Sequence, residues 1–100
     1  ALSDIAEDIK NVIVGEPTWQ IRIEGHTDNI PIFTKQFASN WDLSTARALS
    51  VVKFFIDNNH FLPDQLQAMG YGEFKPLVPN NTPEHRKKNR RVEIKLSKKY

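Results

Sequence analysis

Between residues 19–23 and residues 40–58, the repeat of hydrophobic positions changes from every second residue to about every 3.6 residues. Trp19, Ile21 and Ile23 alternate with polar residues, which is the pattern of a half-buried β-strand. Residues 40–58 instead carry apolar side chains on one predicted helix face, namely Ala48, Val51, Val52 and Phe55. A half-buried strand followed by a long amphipathic helix favours a fold in which helices are layered on a sheet.

One further element is predicted before this unit and one after it. Residues 2–14 have apolar side chains at spacings of three and four, which predicts a first helix that ends in the break at 15–17. For the long helix, three residues are possible N-caps: Asn40, Asp42 and Ser44. After the long helix, Leu66 and Ala68 lead into a short strand closed by Gly70 and Gly72.

The C-terminal part is predicted to contain a loop and a last strand. Residues 75–88 are polar and are interpreted as a surface loop. In the strand at 90–97, alternation predicts that Val92, Ile94 and Leu96 are buried and that Arg91, Glu93 and Lys95 are exposed. The order helix, strand, helix, strand, strand predicts a single α/β domain over residues 1–100, an α+β sandwich with helices on one face of a small mixed sheet.

Composition limits the possible functions. A chain of 100 residues with 39% hydrophobic content can build one core, so we expect one site on one domain. The net charge of +2 argues against a general polyanion binder. The absence of cysteine excludes disulfides, thiolate metal sites and a cysteine nucleophile. Apolar stretches are far shorter than the ~20 residues that span a bilayer.

Special-purpose polar residues are densest at 25–29, where the predicted strand meets a long loop. Asp28 is the leading candidate for ligand binding, although an Asp after a strand often only caps a turn through its own backbone. Arg47, in the first turns of the long helix, is the second candidate, and its simpler interpretation is a solvated surface arginine. A long loop in so small a domain is commonly functional.

Asp28 and Arg47 together offer an anion and a planar cation on neighbouring elements. Such a pair matches a zwitterion that carries an ammonium and a carboxylate on one carbon. The guanidinium can bind the carboxylate through two hydrogen bonds, while the aspartate accepts from the ammonium. The sequence therefore predicts a binding site and does not require catalysis.

Other chemistries are less well supported. His26 and Asp28 could be metal ligands, but His60 and His85 do not have ligand spacing, and all the histidines are interpreted as surface or hydrogen-bonded residues. No nucleophile motif points to a hydrolase. The basic C-terminal run raises nucleic-acid binding as an alternative, yet its charges are of mixed sign and have no aromatic platform beside them. No metal, cofactor or nucleic acid is expected.

The resemblance to a known family rests on four motifs in order. They are Gly25-His26-Thr27-Asp28, then Asn40-x-x-Leu43-Ser44-x-x-Arg47-Ala48, then Gly70-Tyr71-Gly72-Glu73, and finally Asn89-Arg90-Arg91-Val92-Glu93. Together they resemble the OmpA-like peptidoglycan-binding domain. The resemblance implies that Asp28 and Arg47 hold the diaminopimelate of the peptidoglycan stem peptide. It also implies that Thr27, Asn40, Leu43 and Arg90 line the same pocket.

Within the family, the segments 28–32 and 39–44 are most similar to the MotB branch of flagellar motor stator proteins. That similarity implies a non-enzymatic periplasmic wall anchor in an inner-membrane-anchored protein, a homodimer, and MotA as the partner of a membrane segment outside this chain. It also implies a first strand upstream of residue 1. The alternative is a tether of the OmpA or Pal type, in which an outer-membrane protein or lipoprotein binds peptidoglycan without a role in motility.

Overall fold

The computed structural model describes residues 1–13 and 18–98. The elements in chain order are α1 (Leu2–Ile13), β1 (Trp19–His26), α2 (Asn40–Asp57), a 3₁₀ turn (Pro63–Gln65), β2 (Leu66–Gly70), α3 (Pro83–Asn89) and β3 (Arg91–Lys98). The predicted last residue of the first helix, Val14, and the break at 15–17 lie outside the described residues. None of the helices in the described ranges is both long and apolar enough to cross a membrane.

The three strands form one mixed sheet in the order β2-β1-β3. β1 pairs in parallel with β2, with Ile23 opposite Ala68, and antiparallel with β3, with Ile23 opposite Ile94. The predicted α+β architecture with a small mixed sheet is confirmed. Because β1 and β2 are parallel, their C-terminal ends meet at one edge of the sheet, and the loops that follow both strands begin side by side.

The hydrophobic core lies between the helices and the sheet. The predicted stripe of α2 is confirmed, since Ala48, Val51, Val52 and Phe55 are all buried. α1 contributes Ala6, Ile9 and Ile13 to the same core. Two apolar residues of the predicted α1 stripe, Ile5 and Val12, are instead exposed, so this helix keeps part of its apolar surface outside the core.

Two glycines set the distance between α2 and the sheet. A Cβ at Gly25 would overlap the backbone carbonyl of Ser44, and a Cβ at Gly70 would overlap the side chains of Ser44 and Thr45. The first turns of α2 therefore lie directly on the C-terminal ends of β1 and β2. At this short distance the Ser44 hydroxyl accepts a hydrogen bond from the Gly72 N–H at 2.9 Å.

Residues 83–88 were predicted as part of a loop but belong to α3 (Pro83–Asn89). The helix has an N-cap at Thr82, whose hydroxyl accepts from the His85 N–H at 3.1 Å, and a proline at its first position. Its basic residues lie in the last turn, where they complement the helix dipole. The segment has no apolar stripe, so the hydrophobic periodicity used to predict helices could not detect it.

Two smaller predictions were also wrong. The N-cap of α2 is Ser39, whose hydroxyl accepts from the Asp42 N–H at 3.4 Å, and not any of the candidates Asn40, Asp42 or Ser44. In β3, Val92 is exposed, whereas Arg91 and Glu93 are half-buried. The reason is that β3 is an edge strand, and Arg91 binds Glu93 at 2.6 Å on the face where His26 lies.

Candidate functional site

A cavity of about 220 Å³ lies where the C-terminal end of β1 meets the start of α2. The described residues that line it are Thr27, Asp28, Ile30, Pro31, Ile32, Asn40, Leu43, Arg47 and Arg90. The structure thus brings together every residue that the sequence analysis proposed for ligand binding. They come from the loop after β1, from α2 and from the end of α3.

Asp28 is almost fully buried and both of its carboxylate oxygens are engaged. Oδ1 accepts a hydrogen bond from the Ile30 N–H at 3.0 Å, which is the turn-capping role weighed for this residue. Oδ2 accepts from Arg90 Nη1 at 2.6 Å in an ion pair. Capping the turn and lining the cavity are therefore compatible. A carboxylate oxygen has two lone pairs, so Asp28 retains capacity for a further donor.

The loop after β1 is fixed by two polar side chains. The buried Asn40 donates from Nδ2 to the carbonyl oxygens of Asp28 at 3.4 Å and Ile30 at 3.1 Å. The Thr27 hydroxyl donates to the Asp28 carbonyl at 2.8 Å. The Thr27 N–H donates to the Gly72 carbonyl at 2.9 Å. These bonds assign Thr27 and Asn40 a structural role in holding the Asp28 carboxylate at the cavity.

Arg47 and Leu43 reach the cavity from one face of α2, because residues four apart lie above one another on a helix. Arg47 is exposed, and it makes no hydrogen bond or ion pair with any residue in the described ranges. A guanidinium without a partner can bind an anion without first breaking an internal bond. Leu43 is half-buried and supplies an apolar wall beside it.

Arg90 is placed by its neighbour Asn89, which has no solvent exposure. The Asn89 side-chain oxygen accepts from the N–H groups of Leu77 at 2.9 Å and Val78 at 3.1 Å. Its amide donates to the Val78 carbonyl at 2.8 Å and to Asn80 Oδ1 at 2.7 Å. Asn89 thereby ties the loop before α3 to the C-terminal end of that helix. In the sequence, Asn89 stands out only as part of a motif, and this role was not predicted.

The charged side chains that line the cavity are of both signs. One carboxylate, from Asp28, faces two guanidiniums, from Arg47 and Arg90, so the charged side chains of the lining sum to one positive charge. Such a site favours a ligand with an exposed carboxylate, and a ligand ammonium can be accommodated beside Asp28. Within the described residues, no group of three or more His, Cys, Asp or Glu side chains could hold a metal ion.

His26 precedes this loop at the end of β1, and its environment differs from the prediction of a surface or hydrogen-bonded histidine. The ring is buried, stacks on Tyr71 with centroids 5.3 Å apart, and neither ring nitrogen has a hydrogen-bond partner among the described residues. Nε2 lies 3.6 Å from Glu93 Oε2, beyond hydrogen-bonding distance. Burial, together with the nearby charge of Arg91, lowers the pKa of His26 below its usual value of 6.5.

This lowered pKa predicts that the domain loses stability in mild acid. The unfolded chain binds a proton to His26 more readily than the folded chain does, so the free energy of unfolding falls as pH drops below 6.5 and levels off below the folded pKa. Glu24 and Glu93 oppose the shift, and Arg91 and Lys95 reinforce it. Urea unfolding between pH 7.5 and 5.5 measures the effect.

The matched control is His26→Phe, which keeps an aromatic ring against Tyr71. His60 and His85 are present in both proteins, so the difference in slope isolates His26. We expect a shallower pH dependence in the variant. Equal slopes in the two proteins would show that His26 does not carry the effect.

Residues 1–90 of the chain match the OmpA family. The chain belongs to the OmpA family. Among curated relatives, it is 46% identical over 90 residues to Motility protein B of Bacillus subtilis (strain 168), a match that covers 90% of this chain and 34% of the relative. It is 37% identical over 78 residues to the peptidoglycan-binding protein ArfA of Mycobacterium bovis, covering 78% of this chain and 22% of that one.

Solved structures of the family have the same fold. The periplasmic domain of Helicobacter pylori MotB superposes with a TM-score of 0.84 at 34% identity, covering 97% of this chain and 57% of that one. The cell wall anchor of the type VI secretion system (T6SS) from Pseudomonas aeruginosa superposes with a TM-score of 0.75 at 31% identity, covering 98% and 66%. This OmpA-family chain spans about a third of the length of the Bacillus relative.

Proposed function

We propose that this OmpA-family domain binds peptidoglycan non-covalently and anchors a flagellar motor stator to the cell wall, without catalysing a reaction. The observation that carries the proposal is the cavity in which Asp28, Arg47 and Arg90 meet. The similarity to Motility protein B supports the stator assignment, and the similarities to a peptidoglycan-binding protein and to a cell wall anchor support the ligand.

The proposed ligand group is the diaminopimelate of the stem peptide. Arg47 binds its free carboxylate through two hydrogen bonds, and Asp28 accepts from the ammonium on the same carbon. Leu43 and Ile30 contact the aliphatic part of the ligand. Arg90, already paired with Asp28 at 2.6 Å, keeps that carboxylate oriented. Each charge-assisted bond in such a partly buried site contributes about 1.5–3 kcal/mol.

The similarity to Motility protein B also supports a proposal for the wider assembly. The domain functions in the periplasm as part of an inner-membrane-anchored homodimer, with MotA as the stator partner. The cell wall anchor of a secretion system has the same fold at 31% identity, so the fold by itself does not specify motility. The 46% identity to Motility protein B favours the stator over a tether of the OmpA or Pal type.

An NMR titration with stem peptides tests the ligand. We expect a peptide with meso-diaminopimelate to give saturable shifts at Asp28, Asn40 and Arg47. A peptide with lysine at the same position lacks the second carboxylate and is expected to bind at least about tenfold more weakly, the loss of one charge-assisted interaction. Equal binding of the two peptides, or no binding of either, would contradict the proposed recognition of diaminopimelate.

A further inference from the structure

A second and larger cavity, of about 650 Å³, lies at the opposite end of the domain. It lies beside the 3₁₀ turn that precedes β2, where Gln65 Nε2 donates to the Trp19 carbonyl at 3.5 Å. Trp19 begins β1 and His26 ends it, so the length of that strand, roughly 25 Å, separates this cavity from the Asp28 site. No step of the proposed peptidoglycan binding involves it.

The wall of this cavity is mostly apolar. The described residues that line it are Lys10, Ile13, Ile56, Asn59, His60, Phe61, Leu62, Pro63 and Gln65. Ile13 and Phe61 belong to the buried core, but Leu62 is 58% exposed. An apolar concavity of this volume is in the range of small-molecule sites, and the exposed leucine at its wall is apolar surface that folding has not covered.

Lys10 supplies the only full charge among the described lining residues, and its ammonium lies near three side chains. Its Nζ lies 3.3 Å from His60 Nδ1, 3.3 Å from Glu7 Oε1 and 6.0 Å from the centre of the Phe61 ring. An ammonium has only donors, so His60 Nδ1 is the acceptor. The His60 ring is in turn held among the rings of Phe54, Phe55 and Phe61.

The described lining residues supply no negative charge to balance the Lys10 ammonium. Glu7 is not part of the lining, and its side chain is 64% exposed, so its pairing with Lys10 is of the weak surface kind. No carboxylate occurs among the described lining residues. The cavity therefore combines an apolar wall with one ammonium that has capacity for an anion.

We propose that this cavity binds a single-chain aliphatic carboxylate of medium length. The hydrocarbon chain lies against Ile13, Ile56, Phe61 and Leu62, and the carboxylate accepts a hydrogen bond from Lys10 Nζ. Burial of the chain and of the exposed Leu62 side chain supplies most of the affinity, and the ion pair supplies the preference for an anionic head.

The test is an NMR titration of the whole chain with decanoate, compared with decanol and decyltrimethylammonium as neutral and cationic ligands of similar chain length. We expect saturable shifts at Ile13, Phe61 and Leu62 and none at Asp28. Decanoate should bind about fivefold more tightly than decanol, the preference that one partly exposed ion pair provides. The absence of saturable decanoate binding, or tighter binding of the cation, overturns the proposal.

Three variants locate the binding. Lys10→Met keeps the aliphatic stem and removes the charge, so it should weaken decanoate binding about fivefold and leave decanol binding unchanged. Leu62→Glu, at a position that is 58% exposed, places a carboxylate at the cavity wall and should abolish binding of both ligands. Lys53→Met removes an exposed lysine of α2 that is not part of the lining and should change neither. Equal effects of the two lysine variants would show that the anion is attracted by net charge and not by this cavity.

Discussion

Arg47→Ala is expected to lower the affinity for a diaminopimelate stem peptide by about 10- to 150-fold, because the variant removes the guanidinium proposed to bind the ligand carboxylate. The fold should be unaffected. Arg47 is exposed and has no polar partner in the part of the chain that the structure describes, so the free energy of unfolding should change by less than about 0.5 kcal/mol. Calorimetric titration measures the affinity, and urea unfolding measures the stability.

Arg47→Lys separates charge from geometry. A lysine at this position keeps the positive charge but cannot form the two parallel hydrogen bonds of a guanidinium, so an intermediate affinity is expected. If Arg47→Ala bound the stem peptide as tightly as the unaltered protein, the proposed role of Arg47 would be wrong. If both variants lost affinity equally, the paired hydrogen bonds and not the charge would determine binding.

Gly25→Ala is expected to have the largest effect on stability. A Cβ at this position would lie 2.8 Å from the Ser44 carbonyl carbon and would overlap the carbonyl oxygen, which is backbone and cannot rotate away. α2 must then move off the sheet, at a cost of about 3 kcal/mol or more in the free energy of unfolding. Because α2 carries Arg47, the ligand affinity should fall as well.

Ser97→Ala is a suitable control for that measurement. Ser97 is exposed on β3, at the edge of the sheet away from β2, and its substitution should change the stability by less than about 0.5 kcal/mol. Urea unfolding of both variants under one condition makes the comparison. A Gly25→Ala protein within about 1 kcal/mol of the unaltered protein would show that the contact between α2 and β1 can relax.

Local patterns in the sequence predicted the elements whose apolar residues face a core. β1 and α2 each have one clear hydrophobic period, because the apolar residues of each element lie on the face towards the core. On the opposite face of β1, Arg22 is exposed, whereas Glu24 and His26 are buried. The same patterns failed for α3 and for Val92. α3 is stabilised by its Thr82 N-cap and by the basic residues of its last turn, not by an apolar face. Val92 fits the alternating pattern of a buried position, but it lies on an edge strand.

The sequence by itself determined which groups the Asp28 site contains. Residue type and position single out Asp28 and Arg47, and the resemblance to the OmpA-like domain implies Thr27, Asn40, Leu43 and Arg90. Period and residue type are local properties, so they specify which side chains a given face of an element presents.

Only the tertiary structure decided how those groups meet. Asp28 and Arg90 are 62 residues apart, and their ion pair exists because β3 returns antiparallel beside β1 and places the end of α3 over the loop. The role of Asn89 and the burial of His26 against Tyr71 depend in the same way on chain segments that are remote in sequence. Such contacts follow from strand order and from the close approach of α2 at Gly25, and neither is a property of the local pattern.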